Sequence, residues 1–327
     1  MILTYLLLIV GFALLVGGGE LLVRGAVRIA EHFRLSPMLI GLTVVGLGTS
    51  MPELAASVQA ALSGSPGIAL GNIVGSNLAN TLLILGAGAL IAPAVVSSTV
   101  LWRDGMVGLA GVVALFAAGH TLGLDRFWGT AFGIILVSYI VFAFWQEKSG
   151  AQSTAARNRE LAVEGADPGL TPREGSETSI WAATAIFLIG LALIVAGGVV
   201  LVDAAVAIAS ALGVSDTVIG LTIVAAGTSF PELVTTVIAA IKKQGDIALG
   251  NVLGSNIYNI FFIGGVTGMV APGPIPESIL SFDLWVLLAA TVTATLFAYT
   301  GGRLGRREGG VLLAAYVAFI TWTVIAA

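Results

Sequence analysis

Residues 41–80 read GLTVVGLGTSMPELAASVQAALSGSPGIALGNIVGSNLAN, and residues 220–259 read GLTIVAAGTSFPELVTTVIAAIKKQGDIALGNVLGSNIYN. At a constant offset of 179 residues the two stretches are identical at 22 of 40 positions, and no gap is needed. Self-similarity at a fixed offset indicates an internally repeated architecture. The sequence therefore predicts two halves that share one structural plan.

The composition of the 327-residue chain is that of a membrane protein. Hydrophobic residues make up 57% and charged residues only 10%, whereas a soluble domain carries about 25% charged residues. The amino-terminal stretch lacks the basic segment and cleavage site of a signal peptide, so we interpret it as an uncleaved first span. Ten apolar stretches are present, most of them long enough to cross a bilayer as a helix: 3–29, 37–62, 67–91, 104–119, 124–145, 180–210, 215–241, 246–270, 280–300 and 309–326.

Five stretches fall in each half, and this odd number has a topological consequence. A chain that crosses five times ends on the opposite side, so the second copy enters the membrane the other way up. The expected fold class is an all-α integral membrane protein with ten transmembrane helices in two inverted-topology five-helix repeats. The repeats span residues 1–146 and 180–327. Residues 147–179 are polar and rich in charge, Ser, Pro and Gly, and are expected to form a flexible linker.

The basic residues predict which side of the membrane is cytoplasmic. With these spans, thirteen of the fourteen Lys and Arg residues fall on one side, and only Arg126 falls on the other. The positive-inside rule places the thirteen in the cytoplasm. Both termini then lie outside and the 147–179 linker is cytoplasmic. Because the linker is too short and polar for a regulatory domain, a prokaryotic plasma membrane, the inner membrane, is the expected location.

Of the eighteen acidic residues, only Glu53 and Glu232 lie well inside apolar stretches and away from loops. A charged side chain at the bilayer centre costs about 2.5–3.5 kcal/mol even on insertion-based scales. No basic residue lies at the same depth, so compensation must come from protonation, water or a bound cation. Because the duplication repeats both glutamates with their surroundings, we interpret them as the centre of a cation site.

The two glutamates end the motifs GTSMPE and GTSFPE. The proline in each motif lacks a backbone N–H and crowds the carbonyl four residues earlier, which predicts a broken helix. Irregular backbone at membrane depth is tolerated only where it faces protein or a polar cavity. Carboxylate, carbonyl and hydroxyl oxygens form a ligand set suited to hard cations. The hydroxyl candidates are Thr49, Ser50, Thr228 and Ser229.

A second pair of segments, GNIVGSNLAN and GNVLGSNIYN, supplies neutral oxygens. Ser76 and Asn80 are four residues apart and share one helix face, and Ser255 and Asn259 copy them. We expect these four side chains to be cation ligands opposite the glutamates. The glycines that recur at intervals of four fit close helix packing. Four further asparagines fit a structural role, helix capping or hydrogen bonding between helices, as well as they fit cation ligation: Asn72, Asn77, Asn251 and Asn256.

These segments closely resemble the α-repeats of the calcium/cation antiporter superfamily, and of its prokaryotic sodium/calcium exchanger branch in particular. The resemblance is specific over the two repeated segments, and the outer spans match only in hydrophobicity. It implies a secondary active antiporter that exchanges sodium for calcium by alternating access. In that family one calcium ion or several sodium ions occupy a central site by turns.

Carried over by motif, the resemblance implies one set of metal ligands shared by both halves. Glu53 and Glu232 are then the shared carboxylates, joined by the backbone carbonyls of Gly46 and Ala225. The other implied ligands are the polar side chains of the two motifs: Thr49, Ser50, Ser76, Asn80, Thr228, Ser229, Ser255 and Asn259.

Two features of the motifs distinguish branches of the superfamily. Proton/calcium exchangers carry a second acid in the GN-containing helix, and both stretches here lack one. Potassium-dependent exchangers resemble this pattern but have Asp where Asn259 stands, so Asn259 argues against potassium cotransport. Two carboxylates neutralise one calcium ion but not three sodium ions. A proton-coupled or other divalent cation (calcium or manganese) antiporter remains the alternative.

Other classes of protein fit the sequence less well. A channel is disfavoured because an inverted repeat with central broken helices indicates alternating access. An intramembrane enzyme is disfavoured because no His or Lys lies at the depth of the buried serines to activate a nucleophile. The chain has no cysteine for disulfides or zinc–thiolate sites. We expect no enzymatic activity, no cofactor, no nucleic acid and no obligate protein partner; the partners are calcium and sodium ions and the lipid bilayer.

Overall fold

Helices dominate the structure, a computed structural model that describes residues 2–33, 35–64, 66–97, 100–121, 123–150, 179–212 and 227–326. The helices of the first half are α1 (Ile2–Phe33), α2 (Pro37–Ile40), α3 (Gly46–Thr49), α4 (Met51–Leu62), α5 (Pro66–Leu78), α6 (Leu85–Ile91), α7 (Met106–Gly119) and α8 (Arg126–Gly150). Those of the second half are α9 (Ile180–Ala211), α10 (Phe230–Ile241), α11 (Gly245–Ile257), α12 (Gly264–Val270), α13 (Leu284–Gly301) and α14 (Arg306–Ala326).

Two kinds of short segment interrupt this helical order. Strands β1 (Ala94–Val95) and β2 (Arg303–Leu304) pair antiparallel, a small departure from the expected all-α class. π-Helical segments, which are often found at functional positions, precede or join several helices. They are Gly41–Val45, Ala79–Ile84, Leu101–Gly105, Tyr258–Ile263 and Ile279–Asp283.

The offset that relates the two sequence motifs also relates the helix boundaries. α4 and α10 begin at residues 51 and 230, and α5 and α11 end at residues 78 and 257. The π-helical segments that follow begin at residues 79 and 258. Each pair is 179 residues apart, so the two halves repeat their irregular backbone as well as their sequence.

Several of the described helices are suited to a membrane. Seven are long and apolar enough to cross it, or eight when the bent pair Pro37–Thr49 and Met51–Leu62 counts as one span. The apolar α10 has only 12 residues, and residues 213–226 before it lie outside the described ranges. α14 is not among the seven. The protein is therefore a multi-pass membrane protein, and the count of ten spans stays a prediction.

The first helices of the two halves, α1 and α9, pack against each other in antiparallel directions. A Cβ atom at Gly11 would meet the backbone of Leu201, and one at Gly25 would meet the backbone of Phe187. Residue numbers thus rise along α1 as they fall along α9, and glycine permits this close approach of backbones. These two helices run in opposite directions, as an inverted repeat requires.

Contacts made by loops and helix ends define two ends of the molecule. At one end the Ser36 N–H donates to Glu147 Oε1 (2.8 Å), and Arg103 donates to Gln146. At the other end residues 124 and 273 exchange backbone hydrogen bonds. The first end contains basic residues that the sequence assigns to one side of the membrane.

The predicted linker begins later than the sequence indicates. α8 continues to Gly150 and thus takes in the first four residues of the 147–179 segment. The contacts of Gln146 and Glu147 with neighbouring helices anchor this last turn, which the polar composition alone does not show. Residues 151–178 lie outside the described ranges, and the domain boundaries otherwise stay a prediction.

Candidate cation site

A helix is broken before each glutamate, as predicted. Ser50 separates α3 from α4, and the segments on its two sides are bent by 42°. In the second half a turn at residues 228–229 precedes α10. Pro52 and Pro231 occupy the second position of α4 and α10, where a missing N–H removes no intrahelical bond. The prolines therefore sit where a new helix begins.

Glu53 and Glu232 lie in the first turns of these helices and are almost fully buried, with 1% and 0% of their surface exposed. A helix N-terminus carries a partial positive charge that favours a carboxylate. The ion pairs in the described part of the chain involve neither glutamate. Helix dipoles alone do not neutralise two buried carboxylates, so the pair is suited to a positively charged ligand.

Each glutamate accepts a hydrogen bond from a serine of the opposite half. Ser50 Oγ donates to Glu232 Oε1 at 3.1 Å, and Ser229 Oγ donates to Glu53 Oε1 at the same distance. Each serine stands in the helix break three residues before its own glutamate. The two breaks therefore face each other, and both carboxylates lie where the halves meet.

Two asparagines fix the backbone that carries the glutamates. Asn72 Nδ2 donates to the Glu53 carbonyl (3.2 Å) and to Ser57 Oγ (2.9 Å). Asn251 Nδ2 makes the equivalent bonds to the Glu232 carbonyl (3.2 Å) and to the hydroxyl of residue 236 (2.9 Å). The sequence left open whether these asparagines bind a cation or have a structural role, and the structure shows that their amide nitrogens form hydrogen bonds between helices.

The threonines of the GTS motifs complete this arrangement across the two halves. Thr49 Oγ1 donates to Asn251 Oδ1 at 3.2 Å and lies 3.1 Å from the Val45 carbonyl. Thr228 Oγ1 donates to Asn72 Oδ1 at 3.4 Å. In these contacts both hydroxyl groups face polar groups of the site.

Several oxygens of the predicted ligand set have no hydrogen-bond partner within the described ranges. The π-helical segment with Asn80 packs against α10, which carries Glu232, and the segment with Asn259 packs against α4, which carries Glu53. Buried polar atoms are normally paired, because an unpaired one costs about 1–3 kcal/mol. The unpartnered atoms are Glu53 Oε2, Glu232 Oε2, Ser76 Oγ and both amide atoms of Asn80 and Asn259. These oxygens fit a hard cation.

Of the two backbone carbonyls predicted as ligands, the structure describes only that of Gly46. The Gly46 carbonyl lies 3.5 Å from Ser255 Oγ, which also lies 3.4 Å from Glu232 Oε1. A Cβ atom at Gly46 would press on the backbone of Ser255, so glycine allows this approach. Ala225 lies outside the described residues.

One buried acid was missed in the sequence. Asp104 is fully buried in a helical segment, where it pairs with Arg103 Nε (2.5 Å) and accepts a bond from Tyr139 Oη (2.7 Å). The prediction that Glu53 and Glu232 are the only acids well inside the apolar stretches was therefore wrong. In the sequence, the adjacent charges at residues 103 and 104 are typical of the end of a span. In the structure the helical segment begins before them, and they are buried as an ion pair. The opposite charge of the neighbouring Arg103 was the sequence feature that could have indicated this pair.

A sequence profile of the family described as sodium/calcium exchanger protein matches this chain twice. The matches cover residues 3–146 and 182–325. They coincide closely with the two repeats expected from the duplicated motif. The profile thus includes the outer helices, for which the sequence alone showed only shared hydrophobicity.

Known relatives align along nearly the whole chain. The putative antiporter CaxA of Alkalimonas amylolytica is 37% identical over 330 residues, which cover 98% of each chain. The sodium/calcium exchanger MaX1 of Methanosarcina acetivorans is 36% identical over 342 residues, 97% of each chain. A solved structure of the sodium–calcium exchanger NCX_Mj, soaked with sodium and strontium, matches with a TM-score of 0.82 and 32% identity, and the match covers 98% of each chain.

The profile matches the two halves separately, and the relatives and the solved structure align with nearly the whole chain. The family and its structural neighbours are exchangers rather than enzymes. The chain belongs to the sodium/calcium exchanger protein family and is a transmembrane cation antiporter.

Proposed function

We propose that the protein exchanges sodium for calcium across the membrane at this central site. The observation that carries the proposal is the pair Glu53 and Glu232. Both are buried, both lack a basic partner in the described part of the chain, and each is held by a serine of the opposite half. The names of MaX1 and NCX_Mj support the choice of ions.

Charge explains why a calcium ion fits the site. The two carboxylates carry a formal charge of −2, which one calcium ion neutralises. Calcium takes about 6–8 oxygen ligands at about 2.3–2.6 Å, and sodium competes for the same oxygens. The proposed side-chain ligands are Glu53, Glu232, Thr49, Ser50, Ser76, Asn80, Thr228, Ser229, Ser255 and Asn259. The Gly46 and Ala225 carbonyls complete the set.

Alternating access requires one part of the protein to move against another, and the packing suggests two bodies. α1 and α9 contribute most of one hydrophobic core, in which Leu22, Phe187 and Ile194 are buried. Most of the other helices share a larger, separate core. We propose that a filled site neutralises the buried carboxylates and so permits these bodies to rock between inward and outward access.

The proposed location is a prokaryotic plasma membrane. Both termini lie outside and the 147–179 segment is cytoplasmic. The support is the bias of Lys and Arg, which places the end with Arg103, Ser36 and Glu147 in the cytoplasm.

Reconstitution into proteoliposomes tests the exchange. Liposomes loaded with sodium and diluted into sodium-free buffer should accumulate radioactive calcium. Equal sodium on both sides should abolish the uptake. The double variant Glu53→Gln/Glu232→Gln controls for leak, because it keeps the shape of the site and removes its charge.

The same liposomes distinguish the alternatives when each gradient is varied separately. Calcium or manganese uptake driven by a proton gradient without sodium would replace the proposal with proton-coupled exchange. Single-channel currents would indicate a channel. Uptake that needs sodium, and that is unaffected by potassium or by a proton ionophore, would support sodium/calcium exchange.

A further inference from the structure

One hydrogen bond at the edge of the site joins the two halves. Asn256 Nδ2 donates to Thr81 Oγ1 at 2.9 Å. Thr81 is buried and directly follows Asn80, while Asn256 directly follows Ser255. The bond therefore links the two backbone segments that present Asn80 and Ser255, two proposed ligands from opposite halves.

This bond has no counterpart at the equivalent positions, which lie 179 residues away at 260 and 77. Ile260 has no side-chain hydrogen-bonding group, so it cannot replace Thr81. Asn77 Nδ2 donates instead to the Ile73 carbonyl of its own helix at 2.7 Å. The duplication thus repeats the asparagine but not the threonine, and only one of the two bonds forms.

The two proposed serine ligands, Ser255 and Ser76, also differ in their hydrogen bonds. Ser255 Oγ lies 3.4 Å from Glu232 Oε1 and 3.5 Å from the Gly46 carbonyl. Ser76 Oγ has no hydrogen-bond partner in the described part of the chain. The stretches around them, GNIVGSN and GNVLGSN, are nearly the same, so local sequence does not explain the difference. Ser255 is also the serine whose neighbour, Asn256, bonds across the halves.

We propose that Thr81 and Asn256 form a clasp, a positioning pair that fixes the Asn80–Ser255 edge of the cation site. This inference rests on the proposed function and deepens it. The opposite edge, formed by Ser76 and Asn259, lacks such a bond and can adjust. One fixed edge and one adjustable edge allow a single site to fit cations that differ in charge and ligand number.

A small cavity borders the clasp. Asn256 Oδ1 is buried and has no donor among the described side chains and backbone. Asn256 and Thr81 line a cavity of about 50 Å³, whose wall also includes Asp104, Thr291 and Thr295. A cavity of this size is large enough for a water molecule.

Thr81→Val tests the clasp because it removes the hydroxyl and keeps the shape of the side chain. The calcium concentration for half-maximal uptake should rise about 2- to 10-fold, the range that one hydrogen bond supports, while the maximal rate stays nearly the same. Thr81→Ser should restore the original concentration. Ile260→Val, the matched control at the equivalent position, should leave it unchanged.

A second pair of variants covers the case in which Thr81→Val does not fold. Asn256→Ala should give the same rise, and Asn77→Ala, whose amide bonds only to its own helix, should not. Thermal stabilisation of the detergent-solubilised protein by added calcium measures binding without transport. Both clasp variants should need more calcium for the same stabilisation.

The outcomes separate the clasp from the proposed function. Uptake and stabilisation that respond to the same calcium concentrations in Thr81→Val and the unaltered protein would overturn the clasp and leave sodium/calcium exchange standing. An unaltered protein that neither takes up calcium nor is stabilised by it would overturn both.

Discussion

The two halves hold their glutamates with matching serine and asparagine bonds, but they differ in the bonds made by the helices that carry the neutral ligands. The serine bonds to Glu53 and Glu232 are both 3.1 Å long, and the asparagine bonds to the two glutamate carbonyls are both 3.2 Å long. The Thr81–Asn256 bond, by contrast, exists once. The carboxylates thus share these bonds, but Glu232 has a further contact with Ser255 Oγ (3.4 Å) that has no counterpart from Ser76 to Glu53 within the described residues. We expect both halves to contribute to charge compensation, and ion discrimination to depend on the neutral ligands.

The largest effect should come from the glutamates. Glu53→Gln and Glu232→Gln should each lower sodium-driven calcium uptake about 100-fold or more. Each carboxylate would be paired with the bound calcium ion, and loss of one partner of a buried charge pair costs about 3–5 kcal/mol. Radioactive calcium flux measures the effect, and a single elution peak in size-exclusion chromatography controls for folding. Near-normal flux in either variant would contradict the proposal that both glutamates bind the transported calcium ion. Unequal losses of uptake in the two variants would show that the matching serine and asparagine bonds do not make the two carboxylates equivalent.

A smaller effect is expected from the asparagines that bond to the glutamate carbonyls. Asn72→Ala and Asn251→Ala each leave a carbonyl and a hydroxyl without their donor, which costs about 1–3 kcal/mol per buried group. Both variants should raise the half-maximal calcium concentration about tenfold. Side-by-side uptake curves measure this effect. A rise in only one variant would show that the two matching bonds contribute unequally to calcium binding.

Variants at Asn259 and Asn80 compare the adjustable edge of the site with the clasped edge. Uptake should proceed without potassium, because no third carboxylate is present in the predicted ligand set. Asn259→Asp adds a negative charge to the adjustable edge and should lower the half-maximal calcium concentration about fivefold, as an attraction of about 1 kcal/mol produces. Asn80→Asp is the matched variant on the clasped edge. An absolute potassium requirement in the unaltered protein would show that the role assigned to Asn259 is wrong.

The smallest effect should come from the segment between the halves. Replacing residues 151–178 with a shorter Gly/Ser linker that still spans the ends should leave calcium uptake and calcium-dependent stabilisation unchanged. The charged, Pro- and Gly-containing composition gives this segment no hydrophobic core. Loss of calcium binding in the shortened protein would reveal a regulatory site there and add a further difference between the halves.

The glutamates and the helix breaks were predictable because few physical explanations fit a repeated acid in apolar surroundings. Glu53 also stands directly after Pro52, and this local pattern predicts where the helix restarts. The partners of these groups were not predictable. Ser50 bonds to Glu232 rather than to the glutamate three residues away, and that choice depends on how the halves dock. No local pattern contains this information.

Asp104 illustrates a second limit of the sequence. Hydropathy treats each charge separately, so the predicted span began at residue 104, as if the charges marked a boundary. In the structure Arg103 and Tyr139 satisfy the carboxylate, and the group is buried as a unit. The π-helical turns at Ala79–Ile84 and Tyr258–Ile263 were missed for a related reason, because the motif predicts helix but does not reveal its pitch.

The reciprocal serine–glutamate bonds also bear on how such a protein could arise. Each half supplies the serine for the other half's carboxylate, so neither half alone completes a site. A half-length chain that inserted in both orientations and paired with an inverted copy of itself would form both bonds from one gene. With the predicted five spans in each half, fusion of two such genes needs only a connection between the halves, which residues 151–178 would supply. Once the copies are fused, a substitution in one copy is no longer imposed on the other, and a single-copy contact such as Thr81–Asn256 becomes possible.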